Sequence, residues 1–176
     1  MIELDGNYLE GGGQILRTAT ALSVLTQKAF TINNIRAGRP QPGLKNQHLH
    51  AIKAFQKIAN AEVSDCEVGS THLKFVPGKL IPQTFSIDIG TAGSITLLLQ
   101  ALLLPCMFSG KCRINITGGT DVTWSPQWDY FTEVILPQLN RYAHIEAKLI
   151  RRGYYPKGQG KIDIKIIPKY TLENKN

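Results

Sequence analysis

A chain of 176 residues, 43% hydrophobic and 19% charged, is long enough to bury a core, and its composition excludes a low-complexity or disordered tail. The apolar run from Ile95 to Phe108 is broken by Gln100 and Pro105 and falls short of the roughly 20 residues that span a bilayer, while the acidic start Met1-Ile-Glu-Leu-Asp5 is unlike a signal peptide, so no membrane partner is expected. The formal charge of +7 is concentrated from Arg141 onward, where nine Lys and Arg face three acids, and three cysteines without C-x-x-C spacing argue for a reducing, cytoplasmic setting.

In chain order, Ile2–Asp5 reads as a short strand and Gln14–Thr26 as a helix, with Ile15, Ala19, Leu22 and Leu25 at helical spacing. Phe30–Ile35 is a second strand. Pro42 suits the first turn of a second helix, whose inner face carries Leu44, Ala51, Phe55 and Ile58. Strands near Glu62–Glu67 and Thr71–Val76 follow, joined at Gly69-Ser70. The order then repeats: strand Thr84–Ile89, helix Ala92–Leu104, strand Arg113–Thr117, helix Gln127–Leu139 with Pro137 as a late kink or stop, and strands Ile145–Ile150 and Lys161–Ile167. Each half opens a helix at glycine and feeds a strand that ends at glycine, a period of about eighty residues. The expected fold class is α+β: tandem β-α-β-α-β-β repeats over 2–80 and 81–168, with a tail over 169–176. Such a unit leaves one sheet face to be covered, so the units must pack together. The helix Ala92–Leu104, apolar nearly all round, is expected between them.

Two loops concentrate chemistry. In Glu10-Gly-Gly-Gly-Gln14-Ile-Leu-Arg17, three glycines precede a helix whose N-terminus offers N–H groups and partial positive charge to an anion. Gln14 and Arg17 share a helical face, and Glu10 at the mouth can hold a divalent cation or pair with Arg17. In Arg36-Ala-Gly-Arg39-Pro-Gln-Pro42-Gly43, prolines stiffen a loop whose two guanidinium forks suit phosphate oxygens, although loop salt bridges are the competing reading. Gln100, the lone polar side chain in its helix, is expected to find a partner. Trp124 and Pro126 offer flat surface for a nucleobase, or else Trp124 packs in the core. The histidines, His48 included, are expected to be surface or hydrogen-bonded groups without a catalytic role. The loop Gly153–Gly160, flanked by Arg151, Arg152 and Lys157, is the expected nucleic-acid contact in the basic C-terminal third. The alternation of Lys161, Asp163 and Lys165 with isoleucines is equally that of a solvated strand face.

The series EGGGQILRTA, RAGRPQPGL-x-x-QHL, GSTHLKFVPG, DIGTAGSITLLLQALL, GGTDVTWSPQWDY and GYYPKGQG resembles the RNA 3′-terminal phosphate cyclase family, in order and spacing, over about residues 2–168. The resemblance covers only the N-terminal half of a family member. It implies the repeated fold shared with enolpyruvyl transferases, and ATP-dependent conversion of an RNA 3′-phosphate to a 2′,3′-cyclic phosphate with Mg²⁺ or Mn²⁺. A histidine would take AMP from ATP, pass it to the RNA phosphate, and the vicinal 2′-hydroxyl would displace it. By the resemblance, Glu10 matches the metal or active-site carboxylate, and Gln14, Arg17, Arg36, Arg39, Gln47 and Gln100 match phosphate- and nucleotide-site positions. Pro126 matches the proline that packs on adenine. The third core repeat, the small inserted domain and the nucleophilic histidine motif have no counterpart here. Gln127 replaces a frequent second proline, and Gln159 a loop glycine. The implied partners are RNA 3′ ends and a second polypeptide carrying the missing half, with oligomers formed through exposed sheet or repeat faces as a further option. A non-catalytic RNA-binding module of RNA processing or ribosome biogenesis is the alternative expectation, and an enolpyruvyl transferase the remote one.

Overall fold

A computed structural model of the chain describes residues 1–170; residues 171–176 of the expected tail lie outside them. Strand β1 (Ile2–Asp5), helix α1 (Gly13–Thr26), strand β2 (Phe30–Asn33), helix α2 (Asn46–Ala59) and strands β3 (Glu62–Ser64) and β4 (Leu73–Val76) form one unit. Strand β5 (Thr84–Asp88), helix α3 (Ile95–Ser109), strand β6 (Cys112–Gly118), a helix α4 over 128–139, and strands β7 (Ala143–Arg151) and β8 (Gly160–Pro168) form the next. The sheets share one topology, β1-β2-β4-β3 and β5-β6-β8-β7. In each, the first two strands are parallel and the remaining pairs antiparallel. A parallel pair cannot close through a tight turn, so α1 and α3 serve as the crossovers. The α+β architecture of mixed four-stranded sheets carrying helices is the one the sequence implies.

Alternation along each strand decides which face the helices cover. Phe30, Ile32, Leu73 and Phe75 in the first sheet, and Ile114, Ile116, Ile162, Ile164 and Ile166 in the second, are buried beneath the helices. The opposite faces are polar: Arg113 donates to Asp163 at 2.6 Å, and Lys165 pairs with Glu146 at 3.3 Å. The sheet faces therefore need no cover, contrary to the expectation that an open sheet face drives the units together. The units meet through helices, with α3 packed against both α1 and α2. That placement explains why α3 is apolar nearly all round.

Prolines account for most boundary differences. The expected helix Ala92–Leu104 is found at Ile95–Ser109, begun by the Ser94 hydroxyl accepting the Leu97 N–H at 3.1 Å and continuing through Pro105. An interior proline costs about 3 kcal/mol, which burial of Met107, at about 1.5–3 kcal/mol, together with that of Cys106 can offset. Helix α2 begins at Asn46, so Pro42 lies in the preceding loop and not in its first turn. Helix α4 widens into a π-helical stretch over Phe131–Ile135 just before Pro137, where the Leu136 N–H bonds back to the Phe131 carbonyl. The wider turn gives the proline ring room against the preceding carbonyls. Pro137 thus sits in the final turn, Leu136–Leu139.

Candidate functional site

The loops that leave the carboxyl ends of β1 and β2 close over the N-terminus of α1. Asn7 ties them together, its Oδ1 accepting the Gly38 N–H at 2.7 Å. Arg39 Nη2 donates to Glu10 Oε2 at 3.2 Å, so the loops also share an ion pair. Arg17, one turn into α1, donates from Nη2 to Gln14 Oε1 at 2.8 Å, and Gln14 Nε2 donates to the Thr18 hydroxyl at 2.8 Å. The Arg17 Nε is buried without a partner, and burial lowers its pKa below the ordinary guanidinium value. Arg36, in the left-handed region at φ 55°, donates from Nη1 to the carbonyls of Gln41 (2.8 Å) and Gly43 (3.0 Å). It braces its own loop, while burial and then the neighbouring Arg39 lower its pKa.

His48 lies beneath this cluster and is the residue that the motif reading undervalued. It is buried, not a surface group, and its Nδ1 accepts the Lys45 N–H at 3.0 Å, which places the ring proton on Nε2. That Nε2 has no partner and faces Gly13 so closely that a Cβ there would stand 2.1 Å away. Only glycine opens α1 at this point. Burial first, then Arg17, Arg36 and Lys45, pulls the His48 pKa down to about 4, so the ring is neutral at pH 7. Nothing in the spacing of Gly12, Gly13 and Gln14 marks the imidazole that packs beneath them.

The second unit contributes its own loops. Gln47, next to His48, lines a cavity of about 300 Å³ with Gly93, Leu97, Trp124 and Tyr155, so it joins the first loop cluster to the second. Pro126 is held through its carbonyl, which accepts the Thr96 hydroxyl at 2.7 Å. Trp124 is 98% exposed, which removes the core-packing alternative. Gln100 also departs from expectation: it is exposed on α3, with no hydrogen bond among the described residues, and shares a cavity of about 330 Å³ with Gln14, Leu103 and Phe131. The helix around it is buried, but position 100 falls on the one open side, where an amide is solvated and needs no protein partner.

The structure thus brings Glu10, Gln14, Arg17, Arg36 and Arg39 around one helix N-terminus, with Gln100 beside Gln14, Gln47 on the cavity lined by the second unit, and Pro126 on the adjoining loop. Among the described residues of the basic C-terminal third, two arginines are already engaged. Arg152 pairs with Asp121 at 3.0 Å and Asp129 at 2.8 Å, and Arg151 donates to the Gln159 carbonyl at 2.6 Å, so both guanidinium groups are committed within the chain. Lys161 and Lys165 lie on the solvated sheet face.

The cluster is rich in donors that lack an acceptor: the α1 N-terminal N–H groups, Arg17 Nε and the free edges of Arg36 and Arg39. Such a set fits a bound anion of several oxygens. For a metal, Glu10 is one exposed carboxylate, and no group of three or more His, Cys, Asp or Glu side chains gathers among the described residues. A divalent cation here would take its other ligands from phosphate and water, as Mg²⁺ commonly does. Among the described residues no helix is long and apolar enough to cross a membrane.

The family model described as RNA 3′-terminal phosphate cyclase matches residues 8–176. Proteins named RNA 3′-terminal phosphate cyclase from Archaeoglobus fulgidus and Pyrococcus furiosus are 51% and 55% identical to it, over 96% and 91% of this chain and 52% and 47% of their own lengths. One from Thermococcus kodakarensis is 52% identical over 95% of this chain and 49% of its own. The chain spans about half the length of the curated relatives it matches. It belongs to the RNA 3′-terminal phosphate cyclase family.

Proposed function

We propose that these 176 residues supply the N-terminal part of the nucleotide and phosphate site of an ATP-dependent enzyme that converts an RNA 3′-phosphate to a 2′,3′-cyclic phosphate. The observation that carries this reading is the convergence of Arg17, Arg36, Arg39 and Glu10 at the glycine-opened start of α1. The chemistry is adenylyl transfer: AMP activates the RNA phosphate and leaves when the vicinal 2′-hydroxyl attacks. Negative charge grows on phosphate oxygens at each stage, and fixed guanidinium groups and amide N–H donors are suited to meet it without reorganising. Arg36, braced by two carbonyls, contributes a preset edge. Arg39 holds Glu10 at the mouth, where the carboxylate can serve one divalent cation. His48 remains neutral and packs Gly13 into place; it is not the nucleophile, because its Nε2 is sealed under the α1 backbone.

The nucleophilic histidine then belongs to the other half of the enzyme, present in the relatives beyond the matched region, whether on the same polypeptide or a second one. That half covers the apolar groove of about 440 Å³ along the outer side of α1, lined by Ile2, Leu4, Ile15, Ala19 and Leu22. Ile2 and Leu22 are otherwise exposed large hydrophobic residues.

The test is incubation with α-labelled ATP and Mg²⁺, with and without the C-terminal half of a cyclase. The expected result is no labelled phosphoramidate on this chain in either case, and cyclic ends on a 3′-phosphorylated RNA only when both parts are present. A phosphoramidate on this chain would overturn the assignment of the nucleophile. Unchanged cyclisation after replacing Glu10, Arg36 and Arg39 by alanine would leave a non-catalytic RNA-binding module as the better reading.

A further inference from the structure

Three loops of the second unit meet at the edge of the candidate site, and two of them carry aromatic rings into solvent. Trp124 is 98% exposed and Tyr155 84%, yet both line the same cavity of about 300 Å³, together with Gln47 and Gly93. Large exposed rings are unfavourable in water, and a non-glycine residue at positive φ is strained; Trp124 sits at φ 62°.

The loops that present these rings are fixed. The Thr120 N–H donates to the Gly153 carbonyl at 2.9 Å, and the Gly153 N–H returns to the Thr120 hydroxyl at 2.9 Å. Arg152 spans the two loops through Asp121 and Asp129. Asp121 also accepts the Trp128 N–H at 3.3 Å, and the Ser125 hydroxyl donates to the Val122 carbonyl at 2.9 Å. Gly158, at φ 69°, lies against the loop before α3, where a Cβ would stand 2.5 Å from the Thr91 carbonyl oxygen. Five committed side chains, Thr120, Asp121, Ser125, Asp129 and Arg152, thus hold two rings out of the core.

We propose that Trp124 and Tyr155 form a stacking clamp for the base at the 3′ end of single-stranded RNA. Stacking on aromatic rings accepts any base, since each has a flat π face, and so suits a site that must take many RNA ends. The cavity is at the small end of ligand pockets, about 300–1,000 Å³, and opens to solvent so that the preceding nucleotides can leave. Gln47 links it to the anion cradle at Gly13, one residue away through His48. A terminal nucleotide seated here would direct its 3′-phosphate toward the guanidinium groups. The choice of RNA over another polymer rests on the cyclase reading; the clamp itself rests on the exposed rings and the shared cavity.

The experiment measures binding of four short oligoribonucleotides to the full chain: 3′-phosphate or 3′-hydroxyl, each with a terminal base or an abasic terminal sugar. Tryptophan emission reports the contact, because Trp128 is buried and the difference from Trp124→Phe isolates Trp124. Oligonucleotides with a terminal base are expected to quench Trp124, abasic ones and ATP alone are not, and Trp124→Ala and Tyr155→Ala are each expected to weaken binding about five- to 150-fold. If the 3′-phosphate strengthens binding but the base and both rings are immaterial, the clamp is wrong and the phosphate cradle stands. If the rings and base matter but the 3′-phosphate does not, the clamp stands and the cradle reading fails. Equal quenching by ATP alone would overturn the clamp by giving the rings to the nucleotide.

Discussion

His48 shows how one residue can shape a site without reacting. The unfolded chain binds a proton on this imidazole near pH 6.5, whereas the buried ring resists until about pH 4. Its folded pKa is depressed, so its contribution to stability is complete above pH 6.5, falls as the pH drops through that window, and is exhausted below about 4. The full span corresponds to about 3 kcal/mol. Denaturant unfolding at pH 7 and pH 4.5 should therefore show a larger loss for the wild type than for His48→Asn, which keeps an acceptor for the Lys45 N–H but has no charge to gain. Equal losses would mean the ring is not buried under Gly13. The motif pattern did not disclose this role, because the spacing from His50 shows only that the two rings do not share a helical face, and a surface ring and a hydrogen-bonded one read alike. What seals it is Gly13, thirty-five positions earlier.

At the scale of elements, α3 links the core to the site. Ser94 caps it, the Ser94 and Thr96 hydroxyls lie 2.9 Å apart, and Thr96 holds the Pro126 carbonyl. Loss of the cap in Ser94→Ala should cost about 1 kcal/mol and lower the melting temperature by about 2–4 °C in calorimetry. The change should also loosen the 124–126 loop. A melting point unchanged within about 1 °C would assign the start of α3 to tertiary packing alone. The existence and order of the elements were legible, since apolar spacing at two and 3.6 residues survives in every strand and in α1 and α2. The edges were not. Pro105 and Pro42 carry strong local signals, and tertiary burial overrides the first while the brace from Arg36 to Gln41 and Gly43 delays α2 past the second. Gln100 was misread for a related reason: an apolar neighbourhood in sequence does not say which side of a helix stays open.

Across the whole molecule, the cluster of Glu10, Gln14, Arg17, Arg36 and Arg39 was legible because glycines and arginines were packed into two short motifs. The link through Gln47 to the second unit was not, since it depends on how α3 sits against α1 and α2. The same packing leaves the outer side of α1 apolar. Substituting Leu22→Lys, at a half-exposed position in that groove, should weaken complementation by a cyclase C-terminal half about tenfold or more while shifting the melting temperature by less than about 3 °C. Undiminished complementation would remove the groove as the docking face.

The gathering of anion-binding donors at the start of α1 is best tested by a heteronuclear NMR titration of the chain with ATP and Mg²⁺, following backbone amides and guanidinium Nε–H signals. The amides of Gly12, Gly13 and Gln14 and the Arg17 Nε–H should move together, and the movement should vanish in Arg39→Ala. Shifts confined to the solvated face of β7 and β8, or none at millimolar nucleotide, would contradict it.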